Sequence, residues 1–203
     1  MDKNRLEALS DGVLAIIITI MVLDLKTPAT ADWSGLTDSF PSLLSYLLSF
    51  IYIGIYWNNH HHMIKLANEV TGGILWANLH LLFWLSLVPF MTRWMDGSGF
   101  ATIPVFIYGV NLLLAAVAYA ILQAGFVRQQ GPDGPLATAV GRNVKARVSP
   151  LIYVAGCALS FVSPLLGVAA YTVVAALWLV PDRRMERAIR SGAARPASSH
   201  SAD

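Results

Sequence analysis

From Gly12 to Leu23 the chain carries no charged residue, and Thr19 is the one polar side chain in the run. A stretch this apolar leaves few options besides a membrane span or a fully buried core helix. It follows a polar head, Arg5-Leu6-Glu7-Ala8-Leu9-Ser10-Asp11, and ends in Leu23-Asp24-Leu25-Lys26. A secretory leader shares the basic start but ends in small residues at a cleavage site. This ending does not fit that pattern, so the stretch reads as a retained membrane helix. Similar apolar blocks recur along the 203 residues, of which 56% are hydrophobic and 13% charged. A soluble domain carries about 25% charged residues. The expected fold class is therefore an all-α, polytopic membrane protein.

Taking about 20 apolar residues per span, the crossings are expected near Ala8–Leu25, Ser42–Trp57, Gly72–Trp94 and Phe100–Val127. Thr27–Pro41 and Asn58–Thr71 read as loops. The last apolar block, Val148 to Val180, would be about 50 Å long as one helix, well beyond a ~30 Å hydrocarbon core. Ser163-Pro164 and Gly167 interrupt it, so it divides into a hairpin near 149–163 and 165–180. The expectation is a six-helix transmembrane domain over 1–182 and a basic, disordered cytoplasmic tail over 183–203. Twelve of the Lys and Arg residues fall on one side of this layout, and two, Lys26 and Arg93, on the other. Basic loops stay cytoplasmic, so both termini are expected inside a multi-pass protein of the cell (plasma) membrane.

At about 100° per residue, Ile16, Thr19, Ile20 and Leu23 share one stripe of the first helix. Such a stripe either packs inside the subunit or lines a path through the membrane. Ser10 and Asp11 point elsewhere. A buried carboxylate must be paired or neutralised, and Trp57, Asn58, His60, Asn78 and His80 are the candidate donors. The cluster reads as a clamp that fixes the first helix, or as a proton or ion relay; the clamp is favoured. Arg5 aligns with the Ile16 stripe, or it pairs with Glu7 or Asp11 of a neighbour.

His60-His61-His62 do not read as a metal site, because adjacent helical residues diverge and no acid or cysteine stands at ligand spacing. No metal and no cofactor is expected. The single cysteine, Cys157, excludes an internal disulfide. No nucleophile–base pair and no phosphate loop is visible, so an enzyme is not expected. The basic residues flank spans, and nucleic-acid binding is not supported.

Arg5, Leu9, Ser10 and Asp11 keep three of the four positions of an Arg-x-x-x-Phe-Ser-Asp motif, with Leu9 in place of Phe. With Tyr46-Leu47-Leu48-Ser49-Phe50, Tyr56-Trp57-Asn58-Asn59-His60 and Asn78 to Phe90, the sequence resembles the lysosomal potassium channel family (transmembrane protein 175) and its prokaryotic relatives. The resemblance implies a homotetramer permeable to potassium, with four first helices around the axis. Ile16, Ile20 and Leu23 would then form an apolar constriction, a hydrophobic gate, and Thr19 a hydroxyl layer. It also implies that the Arg5, Ser10 and Asp11 motif holds the pore helix. The residues themselves leave two rivals: a small proton- or cation-coupled secondary transporter using the Asp11/His80 region, and a non-conducting scaffold. Acids at mid-bilayer depth, where a coupling ion would bind, are absent.

Overall fold

A computed structural model describes residues 2–67, 69–132, 134–140 and 144–179. The expected tail lies outside them. All regular structure among the described residues is helical. The first helix, α1 (Lys3–Leu23), is capped by Asp2, whose carboxylate accepts from the Asn4 N–H. Its buried residues, Leu6, Ser10, Leu14, Ile17 and Met21, recur every three or four positions and so make one packing face. The short α2 (Trp33–Asp38) follows, with Asp32 as N-cap. It occupies part of what reads as loop in the sequence.

Helix α3 (Phe40–Lys65) is longer than the expected second span. The polar run Asn58–His62 does not end it, because neighbouring helices supply partners for the His60 and His61 side chains. The third span divides into α4 (Gly72–Ser86) and α5 (Val88–Gly97). Pro89 lacks the N–H that would bond back one turn, so the helix steps at Leu87 and continues. Helix α6 (Thr102–Gln130) packs on α4, α5, α8 and α9. Its fully buried Ala115 and Ala118 let neighbouring backbones come close. Gly109 makes room for the Tyr171 ring, which a Cβ there would overlap.

After the short α7 (Pro135–Val140), α8 (Val144–Leu159) and α9 (Pro164–Leu179) form the hairpin. The break falls at Ser163-Pro164, as expected, but α8 begins earlier, inside the basic stretch. Four helical segments are long and apolar enough to cross a membrane: α1, α3, α4 with α5, and α6. The hairpin helices have 16 residues each, or about 24 Å at 1.5 Å per residue.

Side-chain ties fix which ends lie together. Lys3 Nζ donates to the Lys65 and Ala67 carbonyls, 3.0 Å each, and Gln130 Nε2 donates to the Leu66 carbonyl at 2.6 Å. The start of α1 thus meets the ends of α3 and α6. At the other end Arg93 pairs with Asp24 at 3.1 Å, and the Ser42 hydroxyl donates to Asp96 at 2.7 Å. Consecutive long helices therefore run antiparallel. Lys26 and Arg93 sit at the second end, and Lys3, Lys65 and Arg128 at the first.

Candidate pore helix and its clamp

The buried face of α1 leaves the opposite face uncovered. Ile16 is 59% exposed, Ile20 44% and Leu23 82%, whereas Ile17 is 4% exposed. Thr19 is exposed between them. The stripe therefore does not pack inside its own subunit. The Thr19 hydroxyl donates to the Ile16 carbonyl at 2.9 Å, which satisfies its proton and leaves its oxygen as an acceptor toward the open side. Arg5 is exposed on the same side and makes no side-chain hydrogen bond or ion pair among the described residues. Beside the stripe runs a groove lined by Val13, Ile16 and Ile20 of α1 and by Ser86, Pro89 and Phe90.

The packing face is held by two arms. In the first, the Trp57 indole N–H donates to Asp11 Oδ1 at 2.9 Å, and His61 Nδ1 lies 2.9 Å from Glu7 Oε1. Glu7 and Asp11 stand one turn apart on α1, as Trp57 and His61 do on α3, so the two antiparallel helices meet in a two-rung ladder. The indole and imidazole stack, with ring centroids 5.9 Å apart and an interplanar angle of 16°. The second arm is fully buried. Ser10 Oγ donates to the Leu6 carbonyl at 2.9 Å and accepts from Asn78 Nδ2 at 3.0 Å. Asn78 Oδ1 in turn accepts from His60 Nε2 at 2.7 Å, which fixes Nε2 as the protonated nitrogen. One asparagine on α4 thus ties α1 to α3.

Of the residues expected in the clamp, Ser10, Asp11, Trp57, His60 and Asn78 come together. His80 does not. It is exposed, and its Nε2 accepts from the Trp84 indole at 2.9 Å, one turn along its own helix. Asn58 is half-buried and gives no hydrogen bond to either arm. Arg5 joins neither arm. The Glu7–His61 rung was not anticipated, although the matching spacing of four in Glu7/Asp11 and Trp57/His61 was present to be read. His60 turns to Asn78 and His61 to Glu7, so the histidine run diverges, and no acid or thiol cluster suited to a metal occurs among the described residues.

Residues 5–89 match the family described as endosomal/lysosomal potassium channel TMEM175. A potassium channel of Chryseobacterium sp. strain P1-3 is 50% identical over 190 residues, covering 94% of this chain and 99% of that protein. A potassium channel of Streptomyces collinus is 29% identical over 187 residues, covering 86% and 90% of the two chains. The crystal structure of a lysosomal potassium-selective channel TMEM175 homolog from Chamaesiphon minutus superposes with a TM-score of 0.76 at 30% identity. It covers 89% of this chain and 97% of that one. With a relative matched at half its residues along nearly its whole length, and a like fold, the chain belongs to the TMEM175 potassium channel family.

Proposed function

We propose that four copies of this chain form a potassium-permeable cation channel, with the exposed face of α1 lining the pore. One observation carries the reading: α1 keeps an apolar column with a single hydroxyl uncovered, while the clamp fixes its other face. A single helix cannot enclose a path, so the column needs further copies to face. Ile16, Ile20 and Leu23 span about 10 Å of the helix axis at 1.5 Å per residue. Their side chains cannot replace water around an ion, so they act as an apolar constriction whose wetting sets conduction. Thr19 offers an oxygen ring within that zone. The family's potassium channels support the choice of ion. The antiparallel order and the basic residues at one end support six crossings with both termini cytoplasmic, in the cell membrane.

A transporter built on Asp11 and His80 loses its premise, since His80 bonds to Trp84 and not into the Asp11 cluster. Purified protein in liposomes tests the proposal directly. A potassium gradient should drive passive flux that needs no second ion, and cross-linking should trap a tetramer. Flux that saturates and requires a coupled gradient would mean a carrier. No flux from folded, reconstituted protein would leave a scaffold.

A further inference from the structure

A cavity of about 350 Å³ lies between α3, α6 and the α8–α9 hairpin, away from α1. This is within the ~300–1,000 Å³ of small-molecule sites. Its walls are mainly apolar and aromatic, with Tyr56, Ala120, Tyr153 and Trp178 among them. Val117 and Ile121 also line it and are 41% and 48% exposed, so the cavity opens sideways, where acyl chains lie in a membrane. The Tyr56 hydroxyl has no protein hydrogen-bond partner among the described residues. Ser149, by contrast, is satisfied: it accepts from Trp178 at 2.8 Å and donates to the Lys145 carbonyl at 2.8 Å.

Charge stands at one end of this cavity. Arg128 follows the lining residue Ala124 by one turn of α6, and Arg147 follows the lining residue Ala146 on α8. Both are exposed and pair with no acid among the described residues. They lie at the end that also carries Lys3 and Lys65. An apolar lateral cavity with two guanidinium groups within one helical turn of its lining residues, unpaired with any acid among the described residues, suits an amphiphile with a long chain and an anionic head. We infer that the cavity holds one acyl chain of an anionic bilayer phospholipid, whose phosphate is met by Arg128 and Arg147. The chain fills space that water would not wet, and the arginines select the head.

The test is native mass spectrometry of the full chain, purified in mild detergent and offered equal amounts of phosphatidylglycerol and phosphatidylcholine with matched chains. The wild type should retain phosphatidylglycerol at one per subunit, with a preference of about thirtyfold for two arginines near the surface. Ala120→Trp, which fills the cavity from its exposed wall, should abolish retention with the oligomer unchanged. Arg128→Gln with Arg147→Gln lies at helix ends and should keep a bound lipid while erasing the preference. Equal retention of both lipids by the wild type, detergent alone in their place, or undiminished phosphatidylglycerol in well-folded Ala120→Trp would each overturn the inference. Should Ala120→Trp not assemble, the double arginine variant decides: an unchanged preference there also overturns it.

Discussion

The Trp57 indole donates to Asp11 Oδ1 at 2.9 Å, and the two residues sit on α3 and α1. With Glu7 and His61 one turn away, this pair sets the rotation of α1 about its own axis. A helix free to turn would lose the distinction between the Ile16 face and the Ile17 face. The clamp and the uncovered apolar column are therefore two consequences of one orientation. The buried arm through Ser10, Asn78 and His60 holds the same helix from a second direction.

Removing the acceptor at Asp11 tests the exposed rung. Asp11→Ala leaves the Trp57 indole without its partner, but Trp57 is 45% exposed, so water can replace part of the loss. The expected cost is about 1 kcal/mol, in the range of an ordinary hydrogen bond. Thermal unfolding and size-exclusion profiles should show a modest loss of stability or assembly, with ion preference retained in the surviving assembled protein. A variant that assembles normally but loses ion preference would place Asp11 on the ion path instead.

Asn78→Leu should do more damage. It strips both Ser10 and His60 of a partner in a region closed to water. The His60 Nε2–H left unsatisfied costs about 1–3 kcal/mol, and Ser10, which keeps its donation to the Leu6 carbonyl, adds the loss of one accepted bond. The melting temperature should fall further than for Asp11→Ala, and expression should drop with it. An Asn78→Leu protein as stable as wild type would mean that the buried arm carries no weight.

The membrane class and the apolar column of α1 were legible because both rest on the order of apolar residues along one helix. The hairpin break was legible because the block from Val148 to Val180 is too long for one span and Ser163-Pro164 interrupts it. The ends of the helices were not. Polar side chains at Asn58–His62 read as loop, yet α3 runs to Lys65 because Asn78 and Glu7 satisfy His60 and His61. No single-helix pattern contains that tertiary fact. His80 failed for the opposite reason: its type suited the clamp, but its partner, Trp84, lies four residues on and claims it locally. Which side of α1 is buried was not fixed by periodicity alone, since both faces are apolar; the resemblance was what set Ile16, Ile20 and Leu23 apart from Ile17.

The α1–α3 connection carries a pH expectation. Asp32 caps α2, accepting from the Thr30 and Ser34 hydroxyls at 2.6 and 2.7 Å and from the Gly35 N–H at 3.0 Å. The Thr30 and Ser34 hydroxyls and the Gly35 N–H favour the charged form and lower its pKa from 3.8 to about 2. The folded-state value is depressed, so the cap is fully present above the unfolded-state pKa and is lost as pH falls through about 2. A carbon-13 carboxyl titration should place Asp32 below the other exposed aspartates. Thr30→Val and Ser34→Ala together should return it toward the ordinary range.

Sidedness follows from the charge distribution. In a Cys157→Ala background, Ser98→Cys should react with an impermeant thiol reagent applied outside intact cells, and Arg128→Cys only after the membrane is opened. The two positions lie at opposite ends of the helices, Ser98 after α5 and Arg128 in the last turn of α6. Labelling of Arg128→Cys from outside and of Ser98→Cys only from within would invert the orientation.

The pore assignment is tested by polarity at one layer. Ile16→Asn places an amide where the side chain is uncovered in the subunit, so the fold should tolerate it. Around the proposed axis it should let water persist, raise potassium flux and weaken discrimination against sodium. Thr19→Ala removes a hydroxyl and its bond to the Ile16 carbonyl, so it should alter selectivity with less change in conductance. Ile17→Asn buries an amide at a position 4% exposed and should lower yield instead of changing permeation. Leu151 gives the matched control: it is 69% exposed but on α8, and Leu151→Asn should leave flux per assembled channel unchanged. Liposome flux, normalised to folded protein, reads all four. Equal effects of Ile16→Asn and Leu151→Asn would mean that the α1 column is merely another outward surface, and the pore would have to be sought elsewhere in the assembly.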